Sequence, residues 1–239
     1  MRRSSHFIIV ASLAASLGAF TALPAQAEGG VKIDAPAAEA KADVPGGGLE
    51  TAVIAGGCFW GIQAVYQHVN GVTNAVSGYA GGTQKDAAYQ IVSSGSTDHA
   101  ESVKVTFDPR VISYGKILQV YFSVAHDPTQ LNRQGPDSGT QYRSEIFPQS
   151  AAQAKTARDY IAQLDQSQIF KKPIVTKTGT MKAAFFPAED YHQDYATKHP
   201  YQPYIMLNDA PKVANLKVMF PELWREQPVT VAQAGGVTN

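Results

Sequence analysis

Between Thr51 and Thr178 the apolar residues fall into two consecutive strand-helix-strand runs, an order that leaves few ways to close a core. The first run has a β-prone stretch at Thr51 to Ala55. A helix follows from Cys58 to about Val69, with Ile62, Val65, Tyr66 and Val69 on one face, and then a strand at Val72 to Gly78. Tyr79-Ala80-Gly81-Gly82 reads as a turn and Asp86 to Ser93 as a short helix. The second run opens at Glu101 to Phe107, where Val103, Val105 and Phe107 alternate until Asp108-Pro109 stops them. Ser113 then caps a helix carrying Ile117, Leu118, Tyr121 and Phe122. His126 to Gln141 is a long polar loop, and Tyr142 to Phe147 is a strand. Ser150 and Gln153 form a capping-box pattern before a helix that turns Ala154, Ala157, Ile161 and Leu164 inward, and Pro173 to Thr178 is a last strand. This order predicts an α+β sandwich with a ferredoxin-like core and extensions, a single domain; a mixed doubly wound sheet is the alternative.

The ends read differently. Residues 1–27 begin with Arg2-Arg3, continue through an apolar stretch and finish Ala25-Gln26-Ala27, the pattern of a secretory signal peptide cleaved after Ala27. The stretch is too short and interrupted to span a membrane. The mature chain is therefore expected in the periplasm or elsewhere outside the cytoplasm, with no membrane attachment after cleavage. Residues 28–48 are rich in Ala, Pro and Gly and read as a flexible linker; residues 49–226 form the domain, and 227–239 a flexible tail. The chain has 1 cysteine, so no internal disulfide can hold it and a packed core must. A formal net charge of +0 argues against nucleic acid or an anionic membrane as the main partner.

That cysteine, Cys58, lies in Gly56-Gly57-Cys58-Phe59-Trp60-Gly61, where a strand passes through a glycine turn into a helix. A thiol in the first turn of a helix meets unpaired N–H groups and the positive end of the dipole, which predicts a pKa below the free value of about 8.5. A lone cysteine is more often a small buried hydrophobe. The glycine pair and the two aromatics that follow favour a reactive one. The histidines have no zinc-like spacing, so a metal site has little support.

The segment Gly56 to Gly61 resembles the signature of the peptide-methionine (S)-S-oxide reductases, and further motifs resemble the same family in order. These are Gly78-Tyr79-Ala80-Gly81-Gly82, Tyr89 with Ser94-Gly95, His99-Ala100-Glu101, His126-Asp127-Pro128-Thr129, the stretch from Asn132 through Gln134, Gly135, Asp137 and Gly139 to Ser144, and Ala188-Glu189-Asp190-Tyr191-His192-Gln193. They run from about Thr51 to Tyr201. The resemblance implies thiol-dependent reduction of the S epimer of methionine sulfoxide, free or in proteins, through a cysteine sulfenic acid. It makes Cys58 the nucleophile, Glu101 the acid, and Tyr89 and Tyr142 donors to the sulfoxide oxygen. Phe59 and Trp60 would cage the S-methyl group, and Asp137 would order the loop and bind substrate. The resemblance further implies no bound cofactor and regeneration by an external thiol, thioredoxin-like, glutaredoxin-like or small.

Ser93 stands where many members have a cysteine, Asp98 where a glycine precedes the histidine, and Gln63 where glutamate is frequent. No C-terminal cysteine is present to attack the sulfenic acid, so an internal disulfide cannot form. Two other classes remain open from the residues: a non-catalytic binding module for methyl-sulfur ligands, and more remotely a Cys-His hydrolase.

Overall fold

Strand β1 (Glu50–Gly56) is buried over most of its length because it runs between two antiparallel neighbours, β3 (Ala100–Phe107) and β6 (Ser144–Phe147). In this computed structural model, which describes residues 30–39 and 48–236, the sheet is completed by β2 (Val72–Ala80), β7 (Lys177–Thr178) and β8 (Phe185–Pro187). The strand order is β7-β6-β1-β3-β2-β8, antiparallel except where β7 lies parallel to β6. The inner order β6-β1-β3-β2, with α1 (Phe59–Gln67) and α3 (Tyr114–Val120) as its crossovers, is the ferredoxin-like arrangement expected from the sequence. The signal peptide expected over residues 1–27 lies outside the described residues.

Alternation along β1 divides the core. Ala52 and Ile54 face the helices, while Val53 and Ala55 join Ala80, Ala100 and Phe147 on the opposite face. The helical side is larger and includes Ile62, Val65 and Tyr66 of α1, Ile117 and Leu118 of α3, and Ala157, Tyr160 and Leu164 of α4 (Ala151–Ser167). Each fully buried aliphatic side chain there contributes about 1.5–3 kcal/mol. Tyr160 takes the inward place expected of Ile161, which is only partly buried.

Helix entries follow the sequence. Ser113 Oγ accepts from Lys116 N–H at 3.2 Å, and Ser150 Oγ accepts from Gln153 N–H at 3.1 Å. Gln153 returns the bond to Gln149 N–H at 3.0 Å, one residue before the reciprocal partner a capping box uses. After α3 the chain continues into a wider turn, Tyr121–Ala125, and the connections add short helices α2 (Tyr89–Val92), α5 (Tyr195–Lys198) and α6 (Ala210–Met219).

Several expectations need correction. The expected strand Pro173 to Thr178 shrinks to Lys177–Thr178 because Val175 N–H is drawn to Pro128 C=O at 2.8 Å. Tyr142 leaves the strand for a tight turn, Thr140–Tyr142, whose last N–H reaches Gly139 C=O. The polar loop contains a small hairpin, β4 (Arg133–Gln134) with β5 (Asp137–Ser138).

The described part of the expected linker, Gly30–Glu39, is laid across α3 and α4. Ile33 is buried, Gln119 Nε2 donates to Ile33 C=O at 2.7 Å, and Ala37 N–H reaches Gln163 Oε1 at 2.8 Å. Glu39 accepts from Ser113 Oγ at 2.8 Å and Gly115 N–H at 2.9 Å, where the unpaired donors of α3 attract a carboxylate. In the expected tail, Val229 N–H binds Gln67 C=O and the buried Val231 donates to Asp194 Oδ1 at 2.9 Å. Backbone donors in both segments find fixed acceptors, which composition does not reveal.

Candidate active site

The turn from β1 into α1 is threaded between two side chains. A Cβ on Gly56 would come within 2.8 Å of the His126 ring, and one on Gly57, at φ +99, within 2.6 Å of Gln134. Only glycines pass there without strain. Cys58 therefore emerges at the N-cap of α1 with extended ψ of 125° and is buried at 7 % exposure.

Its thiol titrates opposite to expectation. Burial pushes the Cys58 pKa well above its ordinary range, the charges of Glu101 and Asp209 push it further, and the Trp60 N–H and Lys212 only partly oppose them. Desolvation outweighs the helix N-terminus here. In the resting state the thiol is neutral.

Glu101 lies at the start of β3, opposite Tyr79 of β2, and is buried. Its Oε2 accepts the Phe59 N–H at 3.1 Å, so α1's own first turn holds the carboxyl beside the cysteine. Burial raises its pKa to about 8, with the Phe59 hydrogen bond opposing and the charges of Asp137 and Asp209 adding. At neutral pH it is an acid with a proton to give. Because Oε2 accepts the backbone N–H, that proton belongs on Oε1.

The phenols come from connections. Tyr89 opens α2, anchored where its N–H meets Glu189 Oε1 at 2.9 Å, and Glu189 also accepts from Tyr79 Oη at 2.9 Å. Tyr142 ends its tight turn. Burial, then the neighbouring charges of Glu101 and Cys58, raises the pKa of both tyrosines, so each stays a protonated donor. Asp137 on β5 accepts a short hydrogen bond from Tyr204 Oη. Tyr204 also packs edge-on against Trp60, which places it at the site as well.

The two aromatics after the cysteine diverge. Phe59 is buried against Tyr79 and His192, with centroids 5.9 and 5.0 Å away, whereas Trp60 is half-buried. The Trp60 ring stacks on Tyr195 at 3.8 Å and 10°, meets Tyr204 edge-on at 6.0 Å, and donates its Nε1–H to His192 Nδ1 at 3.2 Å. That bond puts the His192 proton on Nε2, and burial lowers its pKa, so the imidazole is neutral.

The structure thus brings together Cys58, Glu101, Tyr89, Tyr142, Asp137 and Trp60, with Phe59 beneath them. Sequence reasoning missed Tyr204, Tyr195 and the orienting role of His192. Tyr204 is 67 residues from Asp137 and carries no local motif; His192 sat inside a quoted motif and could have been found there. The other histidines that motifs singled out bind elsewhere: His126 to Ser144 and Tyr121, His99 to Thr83 C=O. Among the described residues no group of His, Cys, Asp and Glu could hold a metal ion, and no helix is long and apolar enough to cross a membrane.

A buried thiol at a helix N-cap, an acid held protonated beside it and phenolic donors around both define a cysteine-dependent redox enzyme. The family model described as peptide methionine sulfoxide reductase matches residues 50–223. Peptide methionine sulfoxide reductase MsrA 2 of Mesorhizobium japonicum is 59% identical over 187 residues, covering 78% of this chain and 95% of that protein. The MsrA 2 of a Synechocystis strain is 47% identical over 180 residues, 75% of this chain and 84% of that one. Among solved structures, methionine sulfoxide reductase A of Corynebacterium diphtheriae superposes with TM-score 0.56 at 35% identity, over 68% of this chain and 80% of that one. The chain belongs to the peptide methionine sulfoxide reductase family.

Proposed function

We infer that this protein reduces the S epimer of methionine sulfoxide, in oxidised proteins or free, and is regenerated by an external thiol. The observation that carries the reading is the Phe59 N–H to Glu101 bond, which fixes a protonated carboxyl against the helix turn that presents Cys58.

The residues divide the reaction between them. The methyl-sulfur end of the substrate lies against Trp60 and the apolar floor that Phe59 supports, and Tyr89 and Tyr142 donate to the sulfoxide oxygen. Glu101 supplies a proton to that oxygen as the Cys58 sulfur attacks the sulfoxide sulfur, and the carboxylate so formed can take up the thiol proton. The S–S bond so formed breaks as the protonated oxygen passes from the methionine sulfur to Cys58, so methionine leaves with its sulfur reduced by two electrons and Cys58 carries the oxygen as sulfenic acid, oxidised by two. With no second cysteine in the chain, two external thiol equivalents complete the cycle, giving a disulfide and water.

Signal-peptide features in residues 1–27 support work outside the cytoplasm, in repair of exported proteins. The test is turnover of epimer-resolved methionine sulfoxides with small thiols and with dithiol proteins. Reduction of the S epimer alone is expected; no turnover with any donor would leave a binding module instead. In thiol-free buffer, mass spectrometry should find one methionine per enzyme and one added oxygen on Cys58.

A further inference from the structure

Gly61 closes the motif that contains Cys58, yet nothing in the chemistry above uses it. A Cβ at this position would lie 2.1 Å from Asp209 Oδ1 and 3.0 Å from Lys212 Nζ. The start of α6 is therefore pressed against the first turn of α1 through an ion pair, Lys212 Nζ to Asp209 Oδ1 at 3.1 Å. Asp209 is wholly buried and its Oδ2 has no hydrogen-bond partner among the described residues. As a stabilising device this is poor, since an apolar pair of similar size would serve as well or better.

The location gives the pair another use. The titratable groups that act on Cys58 or feel its charge are Glu101 from β3, Tyr89 from α2, Tyr142 from its turn, Tyr204 from the segment before α6, and Asp209 and Lys212, which rest on Gly61, three residues along the chain from Cys58. Asp137 stands behind them, acting on Glu101 and the phenols. While Glu101 keeps its proton and the phenols theirs, the charged side chains around them are Asp209, Lys212 and, behind, Asp137; burial raises the pKa of Asp209 and the Lys212 ammonium opposes that. We propose that Asp209 and Lys212 are positioning residues, a buried charge pair on the first turn of α1 that sets how firmly Cys58 holds its proton between turnovers. This rests on Cys58 being the nucleophile. Asp209 keeps the proton on an idle thiol, and Lys212 limits that effect so that the thiolate is still reached when substrate binds. Their opposite action on the Cys58 thiol agrees with this.

The test is the pH dependence of Cys58 alkylation by iodoacetamide, read by mass spectrometry on the full chain. It needs no turnover, so it can fail while the reductase reading stands, and loss of activity in C58S tests that reading separately. Asp209→Asn should move the alkylation midpoint down and Lys212→Met should move it up, each by about half a unit or more, while Lys212→Arg leaves it in place. A merely structural pair predicts otherwise, because loosening either partner admits water and relieves desolvation, moving both midpoints down. If Lys212→Met does not fold, the double variant D209N/K212M is compared with D209N, and the midpoint should rise. Shifts of the same sign in the two single variants, no shift in either, or no rise in the double variant would overturn the proposal.

Discussion

The two halves of the site are built by different means. Cys58 and Glu101 stand on the sheet and its first crossover: β1 and β3 pair along Glu50 to Ala55, and one backbone bond, Phe59 N–H to Glu101, ties helix to strand. Tyr89, Asp137, Tyr142 and Tyr204 come instead from connections and the C-terminal segment, and they reach the site through side-chain bonds such as Glu189 to Tyr89 and Tyr204 to Asp137. On the function proposed above, the framework half carries the groups whose bonds and protons change. The assembled half would carry the donors that shape the oxygen site, so its losses should be graded rather than absolute.

Cys58→Ser should abolish reduction with the fold unchanged by circular dichroism, since a protonated hydroxyl is a poor nucleophile toward sulfur. Residual turnover above background would break the assignment of covalent chemistry to the framework half. Glu101→Gln comes next, with turnover lowered about 10²–10⁴-fold while substrate binding persists. Wild-type kcat/KM should fall as pH rises past about 8, where Glu101 loses its proton, and the variant should lack that limb. Stability carries the same signature. The folded chain keeps up to about pH 8 a proton that the unfolded chain releases near 4.5, so stability falls with rising pH across that interval and levels off above it. The amide variant should therefore have the higher Tm at pH 8. An alkaline limb unchanged in Glu101→Gln would assign the proton to another group.

For the assembled half, Tyr89→Phe/Tyr142→Phe together should cost about 10²-fold in kcat/KM, and either alone clearly less, because one phenol partly covers for the other. Full activity in the double variant would reduce both to packing residues. Tyr204→Phe should cost about tenfold, chiefly in KM, since it frees Asp137 without removing a group from the reacting atoms. A loss confined to kcat would move Tyr204 into the framework half.

The same division explains what the sequence disclosed. Apolar spacing marks the elements on which the framework half stands, as with Ile62, Val65 and Tyr66 on α1, because burial against a sheet repeats at fixed intervals. The ordered motifs then supplied the roles proposed for Cys58 and Glu101. Tyr204 had no such signature, because its meaning comes from Asp137 far away in the chain. The Cys58 pKa was misjudged for a related reason. Helix position is local and legible, whereas desolvation and the charge of Asp209 depend on which distant segments cover the thiol.

The smallest effect separates the site from its support. Gly30–Glu39 looked featureless in composition, yet its Glu39 carboxylate meets Ser113 Oγ and Gly115 N–H at the start of α3, on the helix layer rather than at the reacting groups. Solvent reaches Glu39, so its interaction with the helix N-terminus is worth about 0.5 kcal/mol and is weakened by salt. Glu39→Gln should therefore lower Tm by about 1–2 °C at low ionic strength and by less in high salt. The wild-type kcat/KM should be retained, because α3 positions none of Cys58, Glu101 or the phenols directly. A tenfold drop in activity with unchanged Tm would show the segment acting on the site itself, and the line drawn between a rigid framework and an assembled rim would then have to include the segment that precedes β1.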